Sequence, residues 1–196
     1  LIMKINTLYK ILLVSYTTSI FSEGIILPIY AVFVQKIGGD ILDASGAMAA
    51  FLVTQGIFTI VAHKFKWINK HRIPVMIFGW IIWVCGIAMY LIISSVLMLF
   101  VTQILTALGN ALADPIFDQE LANHTDKQSQ EFEWGFFEGS IDIVQGVAAI
   151  VGGLLASLFG FRVLIYAMVA SATLSLVLIL YYIVKMKAIK QIRKFA

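Results

Sequence analysis

Carboxylates and amides recur inside segments that are otherwise apolar enough to cross a bilayer. Glu23 stands near the middle of Ser15–Phe33, SYTTSIFSEGIILPIYAVF, with Tyr16, Ser19 and Tyr30 on its helical face. Lys10 and Lys36 bracket that span, about 39 Å apart along a helix, so Glu23 lies roughly 20 Å from either end. An ionised carboxylate at that depth costs several kcal/mol unless it is neutralised, paired or hydrated. Glu23 is therefore read as a proton-coupling group that faces the inside of a bundle. A protonated Glu serving as interhelical glue is the structural alternative.

The same chemistry appears further along. Gln103, Thr106, Asn110, Asp114 and Asp118 recur every three or four residues and line one helical face; Glu138, Asp142 and Gln145 line another. Gln55 and Thr59 lie one turn apart on a further span. Asp142, roughly 12 Å inside its span, joins Glu23 as the second proton-coupling candidate. Tyr30, Gln55, Gln103, Asn110, Asp114, Glu138 and Gln145 are the substrate-binding candidates. Polar stripes in lipid must face protein or water. Together they imply a hydrated, acid-lined cavity with no intramembrane Lys or Arg to balance it, which favours cations, protons or amphipathic amines over anions.

These residues need spans to hold them. Of 196 residues, 61% are hydrophobic and 13% charged, and the mean hydropathy is +0.95. Long apolar runs recur along the whole chain, which predicts an all-α polytopic membrane protein. Six spans are expected, over 8–35, 43–62, 73–93, 96–118, 134–158 and 162–184, in one domain with a basic tail over 185–196. Lys4, Lys10, Lys64, Lys66, Lys70, Arg72, Lys127, Lys185, Lys187, Lys190, Arg193 and Lys194 fall on one side of this arrangement, Lys36 and Arg162 on the other. That asymmetry places both termini in the cytoplasm and the protein in the cytoplasmic (inner) membrane. It also accounts for the pI near 9.0 without nucleic acid. Cys85 stands alone within a span, and His63, His71 and His124 show no metal-ligand spacing. No cofactor motif, nucleophile–base pair or phosphate loop is legible, so the chain is not read as an enzyme.

Small residues crowd the fifth span, with Gly135 and Gly139, then Ala148 and Gly152, at small-x-x-x-small spacing beside Gly146 and Gly153. Gly146, Gly152 and Gly153 are the expected close-packing positions. Leu27-Pro28-Ile29-Tyr30 and Asp114-Pro115-Ile116-Phe117 each lie in the first helix of a set of three, a weak internal symmetry. With three spans per set, it would make a 3+3 inverted repeat.

Three stretches resemble the major facilitator superfamily. Gln103–Ala113, QILTALGNALA, looks like its fourth-helix motif, with Gln103 where the family has Arg. Gly146–Arg162, GVAAIVGGLLASLFGFR, is similar to the fifth-helix glycine motif and the Gly-Trp-Arg turn, with Val151 where Pro is frequent. Gly24–Phe33, GIILPIYAVF, looks like the start of many members, drug/proton antiporters especially. The loop after the second span departs, giving Ala62-His63-Lys64-Phe65 and then Lys70-His71-Arg72 in place of the family's Gly, Asp-Arg and Gly-Arg-Arg. The resemblance implies one six-helix half of a transporter: helices 1 and 4 lining a central cavity, 2 and 5 facing the other half, 3 and 6 peripheral. It further implies a proton-coupled secondary transporter of a cationic or amphipathic small molecule, working by alternating access. The chain would act either as a parallel homodimer or as a fragment of a twelve-helix transporter. A divalent metal carrier using the same carboxylates, and a non-transporting scaffold or sensor, are the alternatives.

Overall fold

The computed structural model describes residues 6–126 and 128–195, so Lys4 and Lys127 lie outside the described residues. Among those described, every regular element is helical. α1 (Thr7–Gly24) is followed by a 3-10 turn at Leu27–Ile29 and α2 (Tyr30–Lys36). α3 (Ile41–Ala62), the short α4 (Lys66–Lys70), α5 (Arg72–Met89) and α6 (Val96–Ala122) come next, then α7 (Gln130–Phe159) and α8 (Phe161–Phe195). Six of these stretches, counting Thr7–Lys36 as one, are long and apolar enough to cross a membrane.

Local chemistry sets the boundaries. Asn6 caps α1 by accepting from the Leu8 N–H at 3.0 Å. Asp40 accepts from the N–H groups of Leu42 and Asp43, and Asp43 accepts in return from Asp40, a reciprocal capping box at the start of α3. Ser95 caps α6. The turn between α7 and α8 needs Gly160, whose φ is +81°.

Three boundaries differ from the sequence expectation. The first span is broken two residues beyond Glu23, because Pro28 has no N–H for the Gly24 carbonyl and the chain tightens into a 3-10 turn. The basic loop over 63–72 contains α4, anchored by buried Ile68. The basic tail does not separate from the last span: α8 runs unbroken for 35 residues, about 52 Å, longer than a hydrocarbon core of about 30 Å.

The helices pack reciprocally: α1 lies on α7 and α8, α6 lies on α3 and α5, and α5 also touches α8. Hydroxyls join α1 to α8, with Ser15 Oγ donating to the Ser175 carbonyl, Ser175 Oγ donating to the Ser15 carbonyl, and Ser22 Oγ donating to that of Met168. α5 and α6 meet backbone to backbone. A Cβ on Gly109 would stand 2.6 Å from the Trp83 nitrogen, and one on Gly79 would stand 2.7 Å from the Gly109 carbonyl. α3 and α7 are the least covered helices: Leu52, Val53, Ile57 and Ile60 of α3 and Ile143, Val147, Ile150 and Leu154 of α7 are exposed.

The glycines of α7 divide. Gly152 is buried, and a Cβ there would collide with the Ile25 carbonyl at the break in α1. Gly146 and Gly153 face open space, so among the described residues they make no close contact. Replacing Gly152 with Leu is expected to destabilise the chain by about 3 kcal/mol or more. Gly146→Leu should stay within about 0.5 kcal/mol in a single chain. Thermal unfolding of the two variants in detergent compares them directly.

Candidate functional site

Glu23 sits in the wall between two cavities. The larger, about 110 Å³, is lined by Glu23, Tyr30, Met48, Phe51, Tyr90 and Gln103 among others. The smaller, about 30 Å³, lies between Glu23 and Asp114, with Tyr16, Ser19, Trp83 and Asn110 around it. It has room for a water or two. Glu23 is half-buried, and its Oε1 accepts from the Trp83 indole Nε1–H at 2.7 Å.

On the larger cavity, Gln103 Nε2 donates to the Tyr30 hydroxyl at 2.7 Å, tying α6 to α2 beyond the break. On the smaller, Gln55 Nε2 of α3 donates to Asp114 Oδ2 at 3.2 Å. Below Asp114 an aromatic cluster fills the bundle. Tyr16 stacks on Phe117 with ring centroids 4.7 Å apart, and Phe137 and Trp80 lean on the same group. Phe117 is one turn past Asp114 along α6, so this cluster lies between the smaller cavity and the bundle end where Arg72 is found.

At that end Arg72, which opens α5, pairs with Glu120 near the end of α6, and the Tyr182 hydroxyl of α8 donates to the other Glu120 oxygen at 2.8 Å. Three helices thus converge on one carboxylate.

The expected site residues fall into two groups. Glu23, Tyr30, Gln103, Asn110, Asp114 and Gln55 converge on the two cavities. Glu138 and Asp142 do not: both are exposed on α7, and Asp142 borders a separate groove with Gln145, Gly146, Gly24, Leu27 and Pro28, alongside the break. Two residues of the site come from a helix expected to be peripheral. Trp80 and Trp83, three apart on α5, send their indoles inward, Trp80 Nε1 donating to Ser175 Oγ at 3.1 Å. The signal was in the sequence, since a buried indole N–H takes an acceptor.

The arrangement suits proton and cation chemistry. Each cavity offers one carboxylate or a pair, amide and hydroxyl groups, and no Lys or Arg. The larger adds the aromatic faces of Tyr30, Tyr90 and Phe51, which attract cations.

Comparison with known proteins gives a matching frame. The model of the Major Facilitator Superfamily matches residues 12–194. An uncharacterized MFS-type transporter of Methanocaldococcus jannaschii is 23% identical over 149 residues, covering 76% of this chain and 38% of the relative. The chain thus spans well under half the length of that relative.

The Arg72–Glu120 end of the bundle yields a stability prediction. Arg72→Leu leaves Glu120 with Tyr182 alone and should cost about 3 kcal/mol, read as a fall in melting temperature. The double change Arg72→Leu with Glu120→Leu should recover most of the loss.

Proposed function

The chain belongs to the major facilitator superfamily and is an integral membrane protein, and from that premise we propose that it is a proton-coupled secondary transporter of cationic, amphipathic small molecules. Glu23 carries the coupling proton. One observation carries the reading: a single carboxylate stands in the wall between an aromatic-lined cavity and a water-sized cavity that leads to Asp114. A cation in the larger cavity and a proton on Glu23 satisfy the same charge, so binding one favours release of the other. Asn110 and Asp114 relay the proton, while Tyr30, Gln103 and Tyr90 shape the substrate side. The apolar and aromatic lining supports an organic cation over a divalent metal, which takes a shell of oxygen ligands.

The working unit contains two halves. A cavity of about 110 Å³ is smaller than the roughly 300–1,000 Å³ of sites for drug-sized ligands, so a second half completes it. Asp142 and Glu138 lie exposed on a membrane span, and exposure of such groups to lipid is costly. The face they share with apolar side chains of α3 and α7 is therefore covered by protein. The reading adopted is a parallel two-fold homodimer, α3 of one copy against α7 of the other, with Gly146 and Gly153 available for close contact. The reciprocal packing of α1 on α7 and α8 and of α6 on α3 and α5 supports two inverted sets of three helices. Both termini lie in the cytoplasm, as the Lys and Arg distribution indicates.

Two experiments test this. In proteoliposomes, an imposed pH gradient should drive tetraphenylphosphonium or ethidium movement, and Glu23→Gln should remove the gradient-driven part while the protein still folds. Full gradient-driven flux in Glu23→Gln makes Glu23 structural. For assembly, Val53→Cys and Val147→Cys in a Cys85→Ser background should cross-link copies in native-like bilayers. Monomers throughout would overturn the homodimer, and pairing through α5 and α8 would overturn the α3–α7 interface.

A further inference from the structure

We propose that Trp83 is a positioning residue for Glu23: its indole N–H holds the carboxylate in the wall between the two cavities and sets the pH at which that carboxylate takes up a proton. The inference rests on the reading of Glu23 as the coupling group and assigns its control to a helix with almost no polar residues. Trp83 is 3% exposed, and its Nε1 stands 2.7 Å from Glu23 Oε1.

The approach is built into the α5–α6 contact. Gly109 has no side chain, and the backbone of Trp83 lies where a Cβ would be. Gly79 and Gly86 remove the same obstacle one helical repeat to either side, against Gly109 and Thr106. The three glycines bring α5 close enough to α6 for an indole from its inner face to reach α1. Trp80 one turn away is fixed by Ser175 of α8. Both indole donors of α5 are thus spent on the interior.

An indole N–H can only donate. It bonds more strongly to a carboxylate than to the neutral acid, so its presence favours the ionised form. Asn110, which lines the smaller cavity beside Glu23, offers a second donor to it. Tyr30 and Tyr90 lie across the larger cavity, and Tyr16 and Asp114 across the smaller. α3 contributes Met48 and Phe51 and α8 contributes Met168, none of which titrates. On α7, Glu138 and Asp142 are exposed, Asp142 bordering the groove beside the break. Asp114, when ionised, disfavours a second charge at Glu23 and so opposes Trp83. Breaking the indole bond removes one of the two donors that favour the charge, with Asn110 the other.

The test is an infrared pH titration of the full chain in lipid nanodiscs, following the carbonyl band of protonated carboxylic acid. The Glu23 contribution is the part missing from Glu23→Gln. In Trp83→Phe, which keeps an aromatic ring and loses the N–H, that contribution should persist to higher pH by about one unit. An unchanged midpoint overturns the proposal, even if transport falls, because a packing role alone leaves the midpoint in place. Should Trp83→Phe fail to fold, the unmutated chain decides. Tryptophan emission should change over the same pH range as the Glu23 band and stay flat in Glu23→Gln; emission that is indifferent to Glu23 overturns the proposal. The coupling reading fails separately: gradient-driven tetraphenylphosphonium flux that survives Glu23→Gln refutes it whatever the infrared midpoint does.

Discussion

A carboxylate cannot be left at mid-membrane without a source of polarity, and the bundle is arranged to supply one to Glu23. An indole N–H, amide and hydroxyl groups around two small cavities, and the carboxyl of Asp114 provide it. Supplying a donor from α5 requires that helix to lie almost in contact with the α6 backbone, which only Gly79, Gly86 and Gly109 permit. Holding α1 in register against α8 then falls to the reciprocal Ser15 and Ser175 bonds and to Ser22. These hydroxyls are satisfied within the bundle rather than at the acid.

The break in α1 gives the same region a second property. Pro28 frees a carbonyl and ends the regular helix just beyond Glu23, while Gly152 lets α7 press its backbone against the Ile25 carbonyl. Tyr30 and Gln103 stand on the far side of that break, and the aromatic cluster around Tyr16 and Phe117 stands on the near side. The first span is therefore two pieces, α1 bound to α8 and α2 bound to α6 through Tyr30, with Glu23 at the joint. Such a joint suits alternating access, in which packed pieces rock about a fixed site.

Much of this was legible from residue order. The six spans follow from long apolar runs, and the polar stripes of the first and fourth spans predict Glu23, Gln103, Asn110 and Asp114 sharing a cavity region. What was missed has physical causes. Helical spacing tells which residues share a face, not how closely a neighbouring helix approaches, so Trp83 was hidden in a span counted as peripheral. A run of glycines signals close packing without naming the partner; Gly152 meets Ile25 at the end of α1, whereas Gly146 meets nothing among the described residues. Asp142 was judged by its depth along α7, but depth along an axis says nothing of azimuth, and its side chain is exposed on the uncovered face. The Arg72–Glu120–Tyr182 cluster joins residues 48 and 62 positions apart, a separation that local periodicity does not reach.

The central claim is that Glu23 exchanges a proton for a cation in the adjoining cavity. Proton release on ligand addition tests it most directly. Purified chain in weakly buffered nanodiscs, held at a pH where Glu23 is protonated, should release protons in proportion to tetraphenylphosphonium bound, and Glu23→Gln should bind without releasing any. Binding to the unmutated chain with no proton released, or equal release from Glu23→Gln, would contradict the account.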